Sequence, residues 1–155
     1  MTGVQTCALP IYILNVLDYP PEHLCLEVTE RCRLLDIEML KNVIAGLKSR
    51  GVRIALDDFG TGFSSIGIIK ELPVDVFKID RSFVRNIEKN DTDSLLVKSI
   101  VDLASVFESK VCVEGIETAG MRDVLRNLHV QSFQGYYYAK PIPLEECLVW
   151  KKNKA

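Results

Sequence analysis

Several features that would announce a function are missing from this 155-residue chain. No apolar run approaches the ~20 residues that a membrane-spanning helix needs. Positive charge is not in excess, because 19 Lys and Arg stand against 21 Asp and Glu for a formal charge of −2. That balance offers no electrostatic grip on nucleic acid or on an anionic membrane. The five cysteines are odd in number and form no Cys-x-x-Cys pair, which argues against a disulfide framework or a zinc site and for a reducing, cytoplasmic setting. The two histidines, His23 and His129, fall near turns or helix ends with no metal-ligating partner at suitable spacing, and read as surface residues. What remains is ordinary globular composition, 48% hydrophobic and 26% charged, in a chain long enough for one domain with a real core.

Residues Met1–Ile11 resemble the in-frame translation of a sequencing-library adapter and are set aside as an artefact. The domain then occupies residues 12–155, and its true beginning is expected to lie upstream. From there, short apolar strands alternate with amphipathic helices, the mark of parallel βαβ units. Strands are expected at Leu24–Thr29, Arg53–Asp57, Val76–Ile79, Val111–Glu114 and Ser132–Tyr137. The helices between them run from about Asp36 to Arg50, to near Leu72, from Asp91 or Thr92 onward with Leu95, Leu96, Leu103 and Phe107 as apolar positions, and from Thr118 to Leu128. Leu144–Lys152 is a last helix. Five β/α units fit either an open doubly wound sheet or a piece of an eight-stranded barrel.

Side chains alternate along a strand. In the first strand, Leu24, Leu26 and Val28 share one face, leaving Cys25, Glu27 and Thr29 on the other. Ile54 and Leu56 likewise oppose Ala55 and Asp57, and Val111 and Val113 oppose Cys112 and Glu114. Each strand thus turns an acid near its C-terminal end toward a shared interior, the end at which barrel enzymes build active sites. Buried carboxylates require partners or metal ions.

Glu27-Val28-Thr29-Glu30 closes the first strand, and taken alone is equally a solvated strand end. Asp57-Asp58-Phe59-Gly60-Thr61-Gly62 follows the second. Adjacent aspartates suit hard divalent cations, though they also suit a connector that caps the next helix. A phosphate-cradling P-loop is excluded, since no Gly-Lys-Ser/Thr follows. Lys78, between Phe77 and Ile79, points opposite both; it serves a phosphate oxygen, a nucleophilic water, or a salt bridge to Asp57 or Glu27. Asp80 ends that segment. Glu114-Gly115-Ile116-Glu117 and Gln134-Gly135-Tyr136 complete the set, with Gln134 also readable as a core amide.

In order, Glu-Val-Thr-Glu, Asp-Asp-Phe-Gly-Thr-Gly, Lys-Ile-Asp-Arg-Ser-Phe-Val, Glu-Gly-Ile-Glu and Gln-Gly-Tyr with Lys-Pro resemble the second part of the EAL domain family, over about Tyr12 to Trp150. The resemblance implies an α/β TIM-type barrel, here about five of its eight units. It implies a phosphodiesterase that opens cyclic di-GMP to linear pGpG with two Mg²⁺ or Mn²⁺ ions. By motif, Glu27 corresponds to a metal ligand, Asp57 to the bridging carboxylate and Asp58 to a ligand of the second ion. Lys78 resembles the lysine that meets the catalytic water, Glu114 the acid serving the second ion and that water, and Gln134 the nearby glutamine. Glu30 and Glu117 resemble supporting acids, with Asp80 beside them. The Asp58–Ser65 loop is implicated in homodimers, and sensor or GGDEF domains often stand upstream.

The Glu-Ala-Leu strand that names the family, and the metal-binding Asn after it, do not occur in this sequence. Truncation upstream of Tyr12 explains both absences, and leaves the chain itself expected to be inactive. Five units also leave the Leu24–Thr29 and Ser132–Tyr137 edges open, so oligomerisation or marginal stability is expected. Two other readings stand beside this one: a degenerate domain that senses cyclic di-GMP without cutting it, and an enolase-like metal-dependent barrel acting on carboxylates.

Overall fold

A computed structural model describes residues 12, 16, 18–29, 37–60, 70–143, 145–147 and 149. Its five strands are β1 (Cys25–Thr29), β2 (Arg53–Phe59), β3 (Val76–Ile79), β4 (Lys110–Val113) and β5 (Ser132–Phe133). All neighbouring pairs are parallel and the strands lie in chain order, β1-β2-β3-β4-β5. A doubly wound sheet reverses its order partway along, so the sequential order leaves the barrel-type arrangement, here open with β1 and β5 as edges among the described residues. No helix among the described residues is long and apolar enough to cross a membrane.

Among the described residues, three helices between these strands have full bounds: α1 (Ile37–Lys48), α2 (Asp91–Val106) and α3 (Ala119–Asn127). Asp36, the expected start of α1, lies outside the described residues, as do residues 61–69 and most of the last helix. α2 begins at Asp91, as expected, but its cap is not the residue foreseen. Its cap is Asn90, whose side-chain oxygen accepts from the Thr92 N–H at 3.0 Å, rather than Asp91 or Thr92. Its buried stripe is Val97, Val101 and Ala104, spaced one turn apart, while Leu95 and Leu96 are 68% and 46% exposed. Thr118 caps α3 as its sequence suggests, accepting from the Met121 N–H at 3.0 Å.

The core lies where the helices cover the sheet. Phe77 of β3 is wholly buried, edge-on to Phe59 at 5.2 Å and stacked with Phe107 at 6.3 Å. Asp75 ties the layers together, taking the Lys48 ammonium at 2.6 Å and the Ile54 N–H at 2.8 Å.

Strand ends depart from the sequence reading where they approach the site. β2 runs two residues further, through Asp58 and Phe59, because its register with β3 shifts between Leu56 and Phe59. Asp58 sits in that irregularity with φ 56°, a left-handed conformation that aspartate tolerates better than most residues. β4 stops at Val113, yet the Glu114 N–H still donates to the Ile79 carbonyl at 3.0 Å. β5 is shorter than expected, since a turn over 136–138 follows Gly135 at once.

Beyond the strands, the chain after β4 is laced to its neighbours. The Ile116 N–H donates to the Gln134 carbonyl at 3.1 Å, and the Ile116 carbonyl accepts from Tyr137 at 2.9 Å. A Cβ on Gly135 would lie 2.2 Å from the Ile116 oxygen, so only glycine permits this approach. Gly115 has φ 72°, and a Cβ there would lie 2.3 Å from that of Arg81.

Two predictions follow from this packing. Phe77→Ala costs about 3–5 kcal/mol of stability, whereas exposed Leu95→Ala changes it by less than about 0.5 kcal/mol; urea unfolding of both variants checks the contrast. Gly115→Ala costs about 1–3 kcal/mol, from left-handed strain and the Arg81 clash, read in the same titration.

Candidate active site

Lys78 organises the C-terminal end of the sheet. Its neighbours Phe77 and Ile79 are fully buried under the helices, so alternation carries Lys78 to the opposite face. There its Nζ lies 2.7 Å from Glu27 Oε1, 3.1 Å from Asp57 Oδ1 and 2.7 Å from Glu114 Oε1. These partners come from β1, β2 and the residue after β4, so four consecutive strands meet at one ammonium. The Lys78 side chain is 9% exposed, Asp57 20%, Glu114 25% and Glu27 50%, so the cluster is closed beneath and open at its Glu27 side.

Three carboxylates around one ammonium leave an excess of negative charge. Burial pushes the Lys78 amine toward its neutral form, but hydrogen bonding to Glu114, Glu27 and Asp57 outweighs it and holds the pKa above the ordinary lysine value. A group whose folded pKa is raised gives stability that is complete below its unfolded value of about 10.4, and loses it as pH climbs through the raised one. Lys78 therefore stays charged throughout the neutral range.

Asp57 Oδ1 is less well served. It is buried and, although within ion-pair distance of Lys78, accepts no well-aligned hydrogen bond. A carboxylate oxygen held only by an ion pair, surplus negative charge and an all-oxygen donor set fit a hard divalent cation in kind. In arrangement they do not yet fit. Among the described residues no three His, Cys, Asp or Glu side chains frame an ion position, and the point where the carboxylates converge is filled by Lys78. Burial pushes the thiols of Cys25 and Cys112 above their ordinary pKa, so both are protonated at neutral pH.

The remaining expected residues divide. Asp58, half-buried, adjoins the cluster in the β2 irregularity. Phe59 belongs to the core rather than to a loop, being buried against Phe77. Gly60 has φ 90° and lies under the Phe83 ring, where a Cβ would come within 2.7 Å of Cζ. Glu30, Thr61 and Gly62 lie outside the described residues. Asp80 supports from a distance. Its carboxylate caps the turn Arg81–Phe83 by accepting the Ser82 N–H at 2.9 Å, and hydrogen bonds from the Ser82 side chain and backbone hold its pKa below the usual carboxylate range.

Gln134 is not a core amide. It is exposed just beyond β5 and, with Glu114, Glu117, Arg81, Gly135 and Tyr136, lines a cleft of about 210 Å³. His23 and His129 are both exposed, as expected. Sequence reasoning passed over Arg81 and Tyr136 as site residues. Both were within reach, because each stands inside a motif already quoted, Lys-Ile-Asp-Arg and Gln-Gly-Tyr.

Over residues 9–141 the chain matches the EAL domain. It is 38% identical over 128 residues, 83% of its length, to the bifunctional diguanylate cyclase/cyclic di-GMP phosphodiesterase MucR of Pseudomonas aeruginosa. To the cyclic di-GMP phosphodiesterase NbdA of the same bacterium it is 37% identical over 119 residues, 77% of its length. It spans only 19% and 15% of those two proteins. Among solved structures, the EAL domain of Mycobacterium smegmatis DcpA aligns over 100% of this chain and 70% of its own, at 33% identity and a TM-score of 0.92. The PaMucR phosphodiesterase in complex with c-di-GMP aligns over 86% of this chain and 54% of its own, at 36% identity and a TM-score of 0.79. With the ordered motifs, the sequential parallel sheet of a TIM-type architecture and these matches in agreement, the chain belongs to the EAL domain family.

Proposed function

We propose that residues 12–155 form part of a phosphodiesterase domain that opens cyclic di-GMP to linear pGpG in bacterial second-messenger signalling. The observation that carries this reading is the convergence of Glu27, Asp57 and Glu114 on Lys78 at the C-terminal strand ends. Glu27, Asp57, Asp58 and Glu114 would hold Mg²⁺ or Mn²⁺. When bound, the ions lower the pKa of water and draw charge from the phosphoryl oxygens.

The chain's own residues do the rest. Lys78 and Glu114 orient the attacking water, and Glu114 takes up its proton. The water oxygen forms a bond to phosphorus as the bond to the departing ribose oxygen breaks, leaving one terminal phosphate and one free hydroxyl. Gln134 and Glu117, on the cleft beside Glu114, steady the ligand and the loop. We infer a homodimer through the Asp58–Ser65 segment, and by motif we count Glu30, Gly60, Thr61 and Gly62 with it. Sensor or GGDEF domains fused upstream belong to the same proposal, as does a cytoplasmic location.

Alone, the 155-residue chain should turn over cyclic di-GMP negligibly, since it has neither the Glu-Ala-Leu glutamate nor the following Asn. Joined to the N-terminal β/α units of a competent family member, it should yield pGpG, and Asp57→Asn should lower kcat by roughly 10²–10³; chromatography of the products measures both. A complemented domain that binds cyclic di-GMP but never cuts it would favour the sensor reading instead.

A further inference from the structure

We propose that Arg122 is a positioning residue: through Tyr137 it sets the turn that presents Gln134 and Tyr136 to the cleft. This rests on the phosphodiesterase reading and deepens it. Arg122 stands in the first turn of α3. Its Nη1 donates to the Tyr137 hydroxyl at 2.6 Å, and its guanidinium carbon lies 5.2 Å from the centre of that ring. Asp123 takes the other edge, accepting from Nε at 2.8 Å and pairing with Nη2 at 2.7 Å. A planar guanidinium fixed along one edge presents the other in a set direction. The helix start is pinned in turn. Thr118 caps it and donates its hydroxyl to Glu88 Oε1 at 2.9 Å, an oxygen that a Cβ on Gly120 would approach to 1.7 Å.

Tyr137 passes this hold to the site through its backbone. Its N–H donates to the Ile116 carbonyl at 2.9 Å, and the Ile116 N–H donates to the Gln134 carbonyl at 3.1 Å. The near end of the turn is fixed by the sheet, since the Gln134 N–H donates to the Val113 carbonyl at 2.8 Å. The far end is held by the Ile116 carbonyl, by Tyr138 against the core and by Arg122. Tyr138 also packs edge-on to the Tyr137 ring at 5.2 Å. Lys78 and Glu114 are secured separately, Glu114 by its N–H on the Ile79 carbonyl at 3.0 Å. Loss of Arg122 therefore loosens one wall of the cleft and leaves the ion-paired groups in place. Binding weakens; the chemical step does not.

The full 155-residue chain gives the first readout. Amide exchange followed by NMR should show the Ile116 and Tyr137 N–H groups exchanging roughly fivefold faster in Arg122→Met. The Glu114 N–H, and every amide named here in the control Arg126→Met, should keep its rate. The second readout uses the chain joined to the N-terminal β/α units of a competent family member. There Arg122→Met should raise KM for cyclic di-GMP roughly three- to tenfold, with kcat within about twofold. Arg122→Lys, which keeps a donor and a charge over the ring, should restore most of the difference. Tyr137→Phe should raise KM as well, and Arg122→Met should add little in that background. A merely structural role behaves otherwise, since kcat then falls with the folded fraction while KM holds. That pattern, unchanged exchange, or an unchanged KM would overturn the proposal. Failure of the phosphodiesterase reading looks different: the complemented domain binds cyclic di-GMP without cutting it, and Arg122→Met still raises its Kd. Absence of binding overturns both.

Discussion

Everything at the functional end of this protein depends on the ammonium of Lys78. Parallel strands about 4.8 Å apart bring the carboxylates of Glu27, Asp57 and Glu114 close enough to repel one another, and Lys78 turns that repulsion into three ion pairs. Its place is secured by the other face of the same strand, where Phe77 and Ile79 are wholly buried. One four-residue strand thereby serves the core with alternate residues and the site with the residue between them.

The connections beyond the strands extend this control to residues that no strand holds. Glu114 lies past the end of β4, yet its N–H bonds to Ile79 and Ile116 is tied to Gln134 and Tyr137. Glycine is required where these segments touch, at Gly115 against Arg81 and at Gly135 against Ile116. The cleft beside Glu114, lined by Arg81, Glu117, Gln134 and Tyr136, is a product of that close approach. On the other side, the shifted β2–β3 register gives Asp58 its left-handed backbone immediately beside Asp57. Strain of this kind persists where surrounding structure enforces it, and it collects at sites that do chemistry.

Legibility in the sequence followed the range of the interactions involved. Each of the five strands was found within two residues at its start, because period-two alternation is written locally. Ends were harder. β2 outran its apolar stretch because a bulge carried the pairing onward, and β5 stopped early because Gly135 opened a turn. In α2 the leucines at 95 and 96 looked like core, but the smaller Val97, Val101 and Ala104 hold the face that meets the sheet. Hydrophobicity named the residues able to be buried; the geometry of the packing chose among them.

By itself the sequence determined that an acid or lysine would end each central strand on the non-aliphatic face, and its ordered motifs identified the family. Those are consequences of alternation and of residue order, both carried within a few neighbouring positions. Only the tertiary structure decided the strand order that separates a barrel arrangement from a doubly wound one. It alone decided that Lys78 meets three carboxylates together, that Asp57 keeps an unsatisfied oxygen, and that Arg81 and Tyr136 share a cleft with Glu114. The physical reason is that these contacts join residues far apart in the chain, through backbone pairing whose register no single segment specifies.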